Sequence, residues 1–189
     1  MTQFQKQARD VLYWHSMARR LCAAAKVIQR EIDLQLQRLE EAQYEDGTTV
    51  AVDQVPGLQL WPAFGLLAAF ALENLLKGIL IWRTPDLVHE NRLDKSLSTH
   101  RLLPLARRAG FEFDAIDAFF LEAATEHSTW AGKYHTPKKP PGATFSLAAS
   151  AAEFVEFDRL YTLFATELSK AGIPTVTYKV IGKPRKHEE

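Results

Sequence analysis

Apolar side chains return every three or four residues along the first part of the chain. Leu12, Leu21, Ala25, Ile28, Ile32, Leu36 and Leu39 share one helical face, with Ala18 or Arg19 filling the turn between the first two. Arg20, Lys26, Arg30, Arg38 and Glu41 fall largely on the other faces. This is the spacing of an amphipathic helix. No Gly or Pro interrupts it, so the pattern predicts one long first helix over residues 4–43. The stretch 46–57, DGTTVAVDQVPG, then reads as a loop, with room for a short extended piece at TTVAV.

Residues 61–82, WPAFGLLAAFALENLLKGILIW, are apolar almost all round. Pro62 suits the first turn of a helix, where its missing N–H would have no partner anyway. The segment is long enough to cross a bilayer, but Glu73, Asn74 and Lys77 fall in its middle. Each charge at a bilayer centre costs roughly 2.5 to 3.5 kcal/mol on insertion scales. The pattern therefore predicts the central helix of a bundle and no membrane association.

Pro85 breaks the polar connector 83–99. A short helix is predicted over 99–109, with Gly110 as its stop signal. Asp114 is placed to cap a fourth helix over 115–130, and a fifth runs over 147–170 to Gly172. The tail 173–189 alternates β-formers and then turns to charges, which suits an edge strand or disorder. The expected fold is all-α: a four- to five-helix up-down bundle in one domain, residues 1–172, followed by the tail. A first helix that long outruns a small bundle, so a homodimer through the first or second helix is expected.

Composition adds mostly exclusions. Hydrophobic residues make up 47% of the 189 and charged residues 24%, an ordinary globular balance. Lys plus Arg equals Asp plus Glu at 23 each, so no broad electrostatic grip on nucleic acid is advertised. Only KKPPG and KPRKHEE crowd positive charge locally. The single cysteine, Cys22, rules out an intrachain disulfide and a cysteine-based zinc cluster, and reads as a small buried apolar residue. The first ten residues lack the apolar core of a signal peptide, and a cytoplasmic protein is expected. There is no glycine-rich phosphate loop and no serine elbow. Glu122, Glu126 and His127 do not match the Glu-x-x-His pairs of a di-iron bundle, so no metal and no cofactor are expected.

Two groups of residues carry candidate chemistry. Residues 130–142, WAGKYHTPKKPPG, place Trp130, Lys133, Tyr134, His135 and Lys138 in a connector stiffened by prolines. A rigid corner and a phosphate-binding loop both fit it. Glu73 and Lys77 form an i,i+4 pair on an apolar helix, and either partner each other or edge a site.

Three segments in order also resemble landmarks of the HEPN superfamily. AFALENLLKGILIWR is similar to its second helix, where a small residue, an acidic residue and a Leu-Lys pair recur. STHRLLPLARRAGFEF resembles the segment in which a histidine, here His100, opens a short leucine-spaced helix. FFLEAATEHSTWAGKYHTP resembles the third landmark, a connector rich in Trp, Gly and Tyr. The resemblance covers residues 60–170 and implies an α-helical bundle, frequent dimers, and roles in RNA cleavage, RNA or nucleotide binding, bacterial defence or toxin–antitoxin systems.

Active RNases of that superfamily place an Arg four to six residues before a His. Here Lys133 and His135 stand at the matching connector only two residues apart. Arg9 with His15, and Arg83 with His89, have the spacing but in displaced positions. The resemblance therefore implies a module that binds RNA, a nucleotide or a partner protein such as a nucleotidyltransferase, without a complete nuclease motif. The alternative is a metal-independent endoribonuclease with a rearranged set, His135, Lys133, Arg83 and His89.

Overall fold

The computed structural model describes residues 1–41, 57–131 and 151–173. Its elements are α1 (Gln3–Arg9), α2 (Val11–Glu41), α3 (Trp61–Arg83), α4 (Leu102–Arg108), α5 (Ala115–Glu126) and α6 (Ala151–Ser169). The all-α bundle expected from the sequence is present. There are six α-helices among the described residues rather than four or five, because the first expected helix is two.

Asp10 makes that break. Its backbone is extended, at φ −76° and ψ 103°, and its Oδ1 accepts from the Leu12 amide at 2.9 Å. A short carboxylate competes with backbone carbonyls for nearby amides, so Asp serves a helix start better than a helix interior. Thr2 caps α1 in a capping box with Gln5. Trp14 Nε1 spans the break to the Ala8 carbonyl at 2.8 Å, which fixes α1 against α2.

α3 is the core helix, with 15 of its 23 residues buried. α2, α4, α5 and α6 all pack on it. Each of its fully buried Leu and Ile side chains contributes roughly 1.5 to 3 kcal/mol of transfer free energy. Among the described residues it alone has the length and composition to cross a membrane, and 78% of its most apolar window is buried inside the bundle. α2 meets it with Ala18, Ala25 and Ile32, all fully buried. α6 adds Phe154, Phe157 and Phe164, whose rings contact Trp61, Phe64 and Phe111.

The connector after α3 is two short 3-10 turns, Pro85–Leu87 and Lys95–Leu97, joined by one antiparallel bridge between Val88 and Leu93. Gly110 takes a φ of 81° just past α4, the left-handed conformation that makes it a stop. Asp114 caps α5 through the amides of Ile116 and Asp117, at 2.8 and 2.9 Å. The chain then continues through a π turn, His127–Ala131. The TTVAV piece, residues 132–150 and the tail from residue 174 lie outside the described residues.

Candidate functional site

Glu73, Lys77 and His100 come together. Glu73 and Lys77 are 6% and 8% exposed. Lys77 Nζ donates to Glu73 Oε1 at 2.7 Å, and His100 Nδ1 lies 2.9 Å from Glu73 Oε2. Both carboxylate oxygens are thus engaged. The cluster ties the middle of α3 to the residues that open α4, with the His100 ring edge-on to Phe70 at 6.0 Å. Of the two sequence readings of the pair, the partnership between Glu73 and Lys77 is present in the geometry, with His100 as a third member at the solvent side.

The other candidates are held apart. Arg83 Nη1 donates to the Ala109 carbonyl and Nη2 to Glu167, so its guanidinium clamps the ends of α3, α4 and α6. His89 Nε2 is 3.4 Å from Asp94 Oδ2. Arg9 reaches the Val88 carbonyl at 3.3 Å and Asp86 at 3.8 Å, while His15 lies beyond the Asp10 break in a different cleft. Trp130 contributes backbone to the π turn. Its side chain, with Lys133, Tyr134, His135 and Lys138, lies outside the described residues.

A concavity with two arginines and no acid was not picked out from the sequence. A cleft of about 540 Å³ opens between α2 and α6, lined among others by His15, Ser16, Arg19, Arg20, Cys22 and Tyr161. No carboxylate lines it. Arg19 and Arg20 take part in none of the ion pairs found among the described residues. One turn beyond Cys22, Lys26 pairs with Asp158 on α6, which both latches the two helices and neutralises the nearest acid. The Lys26 ammonium also sits 5.9 Å from the centre of the Phe157 ring.

The electrostatics follow from burial and crowding. Burial lowers the His15 pKa, and the neighbouring Arg19 charge lowers it further, so the imidazole is neutral at pH 7. Burial pushes the Cys22 thiol up, against the opposing pull of Lys26 and a hydrogen bond with Tyr161. The Tyr161 hydroxyl is raised well above its usual value, first by burial and then by Cys22. Cys22 is half-buried and thiol rather than thiolate, which removes it as a nucleophile. Two guanidinium groups, a neutral imidazole and two hydroxyls in an acid-free recess suit an anion with several acceptor oxygens. The legible signal was the i,i+4 placement of His15 and Arg19 beside Cys22 on one stripe of α2.

His127 was also missed as a feature. It is 8% exposed, and its buried Nδ1 finds no hydrogen-bond partner. Burial lowers its pKa, so it is held neutral. The ring lies directly on α3, where a Cβ at Gly65 would come within 2.6 Å of its Cγ and Nδ1. The π turn that starts here displaces the chain by one residue relative to an α-helix, a distortion common near functional segments. Among the described residues no group of His, Cys, Asp and Glu is arranged to hold a metal ion.

Fold and geometry together define a class: an all-α bundle with a cationic, carboxylate-free cleft along its longest helix. Comparison with protein-family models, with curated proteins and with solved structures finds no match.

Proposed function

We propose that the chain is a HEPN-like helical module that binds RNA or a nucleotide through its phosphates, at the cleft between α2 and α6. The observation that carries this reading is the convergence of Arg19, Arg20 and His15 on a recess of about 540 Å³ that no carboxylate lines. In a chain of zero net charge, positive potential has to be concentrated locally to hold a polyanion. The ordered trio of HEPN-like segments supports the class, and with it a cytoplasmic role in bacterial defence or a toxin–antitoxin pair. The assignment is to binding and not to cleavage, since the Arg83 of the rearranged nuclease set is already committed to Ala109 and Glu167.

Fluorescence anisotropy with a short single-stranded RNA tests it. Arg19→Gln is expected to weaken binding about tenfold, the worth of one charge-assisted hydrogen bond. It should also flatten the salt dependence by about 0.7 in log K against log salt, one phosphate contact fewer. An unchanged isotherm and slope would refute the site. Excess mononucleotide that displaces the RNA would make the site a nucleotide pocket, and failure to displace it an RNA groove.

The same cleft carries a pH dependence. His15 shares the cleft with Arg19, Arg20 and the neutral Cys22 on its own helix, α2, and is faced across it by the neutral Tyr161 on α6. A bound phosphodiester offsets the Arg19 charge and favours the imidazolium. RNA binding is therefore expected to take up a proton and to strengthen as the pH falls from 7.5 to 5.5, because the bound state binds more protons. Phosphodiesters do not titrate in that window, so His15→Gln should remove the pH dependence while leaving binding at pH 7.5 nearly intact. A pH dependence that survives in His15→Gln would assign it elsewhere.

A further inference from the structure

α2 carries a second regular stripe that its own bundle does not use. Tyr13, Met17, Ala24, Val27 and Leu34 are all exposed, the larger ones by 59%, 45%, 67% and 48% for Tyr13, Met17, Val27 and Leu34. Arg20 and Glu31 complete the series, so that the steps from Tyr13 to Leu34 alternate between four and three residues. A strict 3.5-residue repeat on a solvent-facing side of a helix is the pattern of a coiled-coil seam, not of a face tuned to its own core.

We propose that a second copy of this chain packs antiparallel along this stripe, about a two-fold axis between Ala25 and Lys26. The charges choose that register. With the axis there, Arg20 meets Glu31 of the second copy, and Glu31 meets its Arg20. Met17 then faces Leu34, Ala24 faces Val27, and Tyr13 faces Arg38, a cation over an aromatic ring. Every pair joins one seam position to the other kind, as antiparallel packing requires, and the contact is self-complementary as a two-fold interface must be. A parallel pairing would set Arg20 against Arg20 and Glu31 against Glu31. Sliding the antiparallel pair by one heptad either leaves both charges without a partner or brings Arg20 against Arg38.

The surroundings fit the same occupant. Leu21 and Ile28, half-buried on the flank of the stripe, would meet each other across the axis. An apolar groove of about 370 Å³, lined by Phe4, Tyr13, Trp14, Met17 and Asn74 among others, continues the stripe at its N-terminal end. Leu34 of the second copy reaches that groove beside Met17. The paired length from Tyr13 to Arg38 is about 37 Å at 1.5 Å per residue, enough for a standard-sized interface. On the other flank, Arg30 of the second copy falls beside Ala23, which lines the cationic cleft. Each copy thus lends its neighbour's cleft an arginine, in place of the Arg20 drawn off by Glu31. That last point alone rests on the phosphate-binding reading; the dimer does not.

Sedimentation equilibrium on the full chain tests the proposal by mass, with no ligand present. The wild type is expected at twice the 21.4 kDa chain mass. Arg20→Glu sets like charges against each other twice per dimer and is expected to raise the dissociation constant at least about tenfold. The swap Arg20→Glu with Glu31→Arg restores the pairing only in this register, and is expected to return the constant to within about threefold of wild type. Both positions are exposed, and unchanged helical circular dichroism checks that each variant folds. A wild type that stays monomeric at about 100 μM overturns the proposal. So does a dimer indifferent to Arg20→Glu, or a swap that binds no better than Arg20→Glu alone. If another segment of this chain covers the stripe, the protein is monomeric and Val27→Glu lowers its stability, which also overturns it.

Discussion

Lys77→Met is expected to remove about 3 kcal/mol of folding stability, the low end of what breaking a buried ion pair costs. The loss comes from what stays behind. Glu73 is as buried as Lys77, and its Oε1 loses the 2.7 Å donor that compensates its desolvation. The remaining contact, His100 at Oε2, keeps the cost from the top of the range. Removing both charges is a different matter. Glu73→Leu with Lys77→Met exchanges the pair for apolar side chains of similar volume in an apolar helix, and the double variant is expected within about 1 kcal/mol of wild type. Urea unfolding followed by circular dichroism measures both. A single variant that loses less than about 0.5 kcal/mol would mean that the pair is wet and the helix edge open.

The second large effect belongs to Gly65. Alanine there would put a methyl 2.6 Å from the Cγ and Nδ1 of His127. Those atoms sit at the root of the ring, so the clash is relieved only by moving α3 or the π turn. Overpacking of this kind costs about 1 to 3 kcal/mol, and the better helix propensity of Ala returns up to about 1. The contact is close enough that the upper end applies, and Gly65→Ala is expected to lose about 2 kcal/mol. For a chain of this size that is a fall of roughly 6 °C in Tm. The cause is separable. In a His127→Ala background the ring is gone, and Gly65→Ala should become neutral or stabilising. Equal losses in both backgrounds would place the constraint elsewhere on α3.

Much of the fold was legible because it rests on periodicity and punctuation. The apolar run of α3, the Asp114 cap and the Gly110 and Gly172 stops each act through local backbone chemistry, and a sequence displays those directly. The break at Asp10 was not legible, since apolar periodicity continues on both sides of it and only the capping geometry decides. Half of the candidate site was equally open to reading. Glu73 and Lys77 are one helical turn apart and had to meet, and His100 joined them across the fold. Of the cationic cleft only the α2 wall was legible, in the His15 and Arg19 spacing; the recess itself is made by apposing α2 and α6, more than 130 residues apart at Lys26 and Asp158. Arg83 shows the converse: its spacing to His89 suggested chemistry, yet the fold hands its guanidinium to Ala109 and Glu167.

The most direct test of phosphate binding at the α2–α6 cleft watches the arginines themselves. In 15N-labelled protein, the side-chain Nε–H signals are followed while a short oligoribonucleotide is added, with Arg19→Gln used to assign the Arg19 signal. The Arg19 signal is expected to shift and saturate, while Arg83 and Arg159, locked in their ion pairs, stay in place. An Arg19 signal that stays unmoved at saturating RNA would contradict phosphate binding at this cleft.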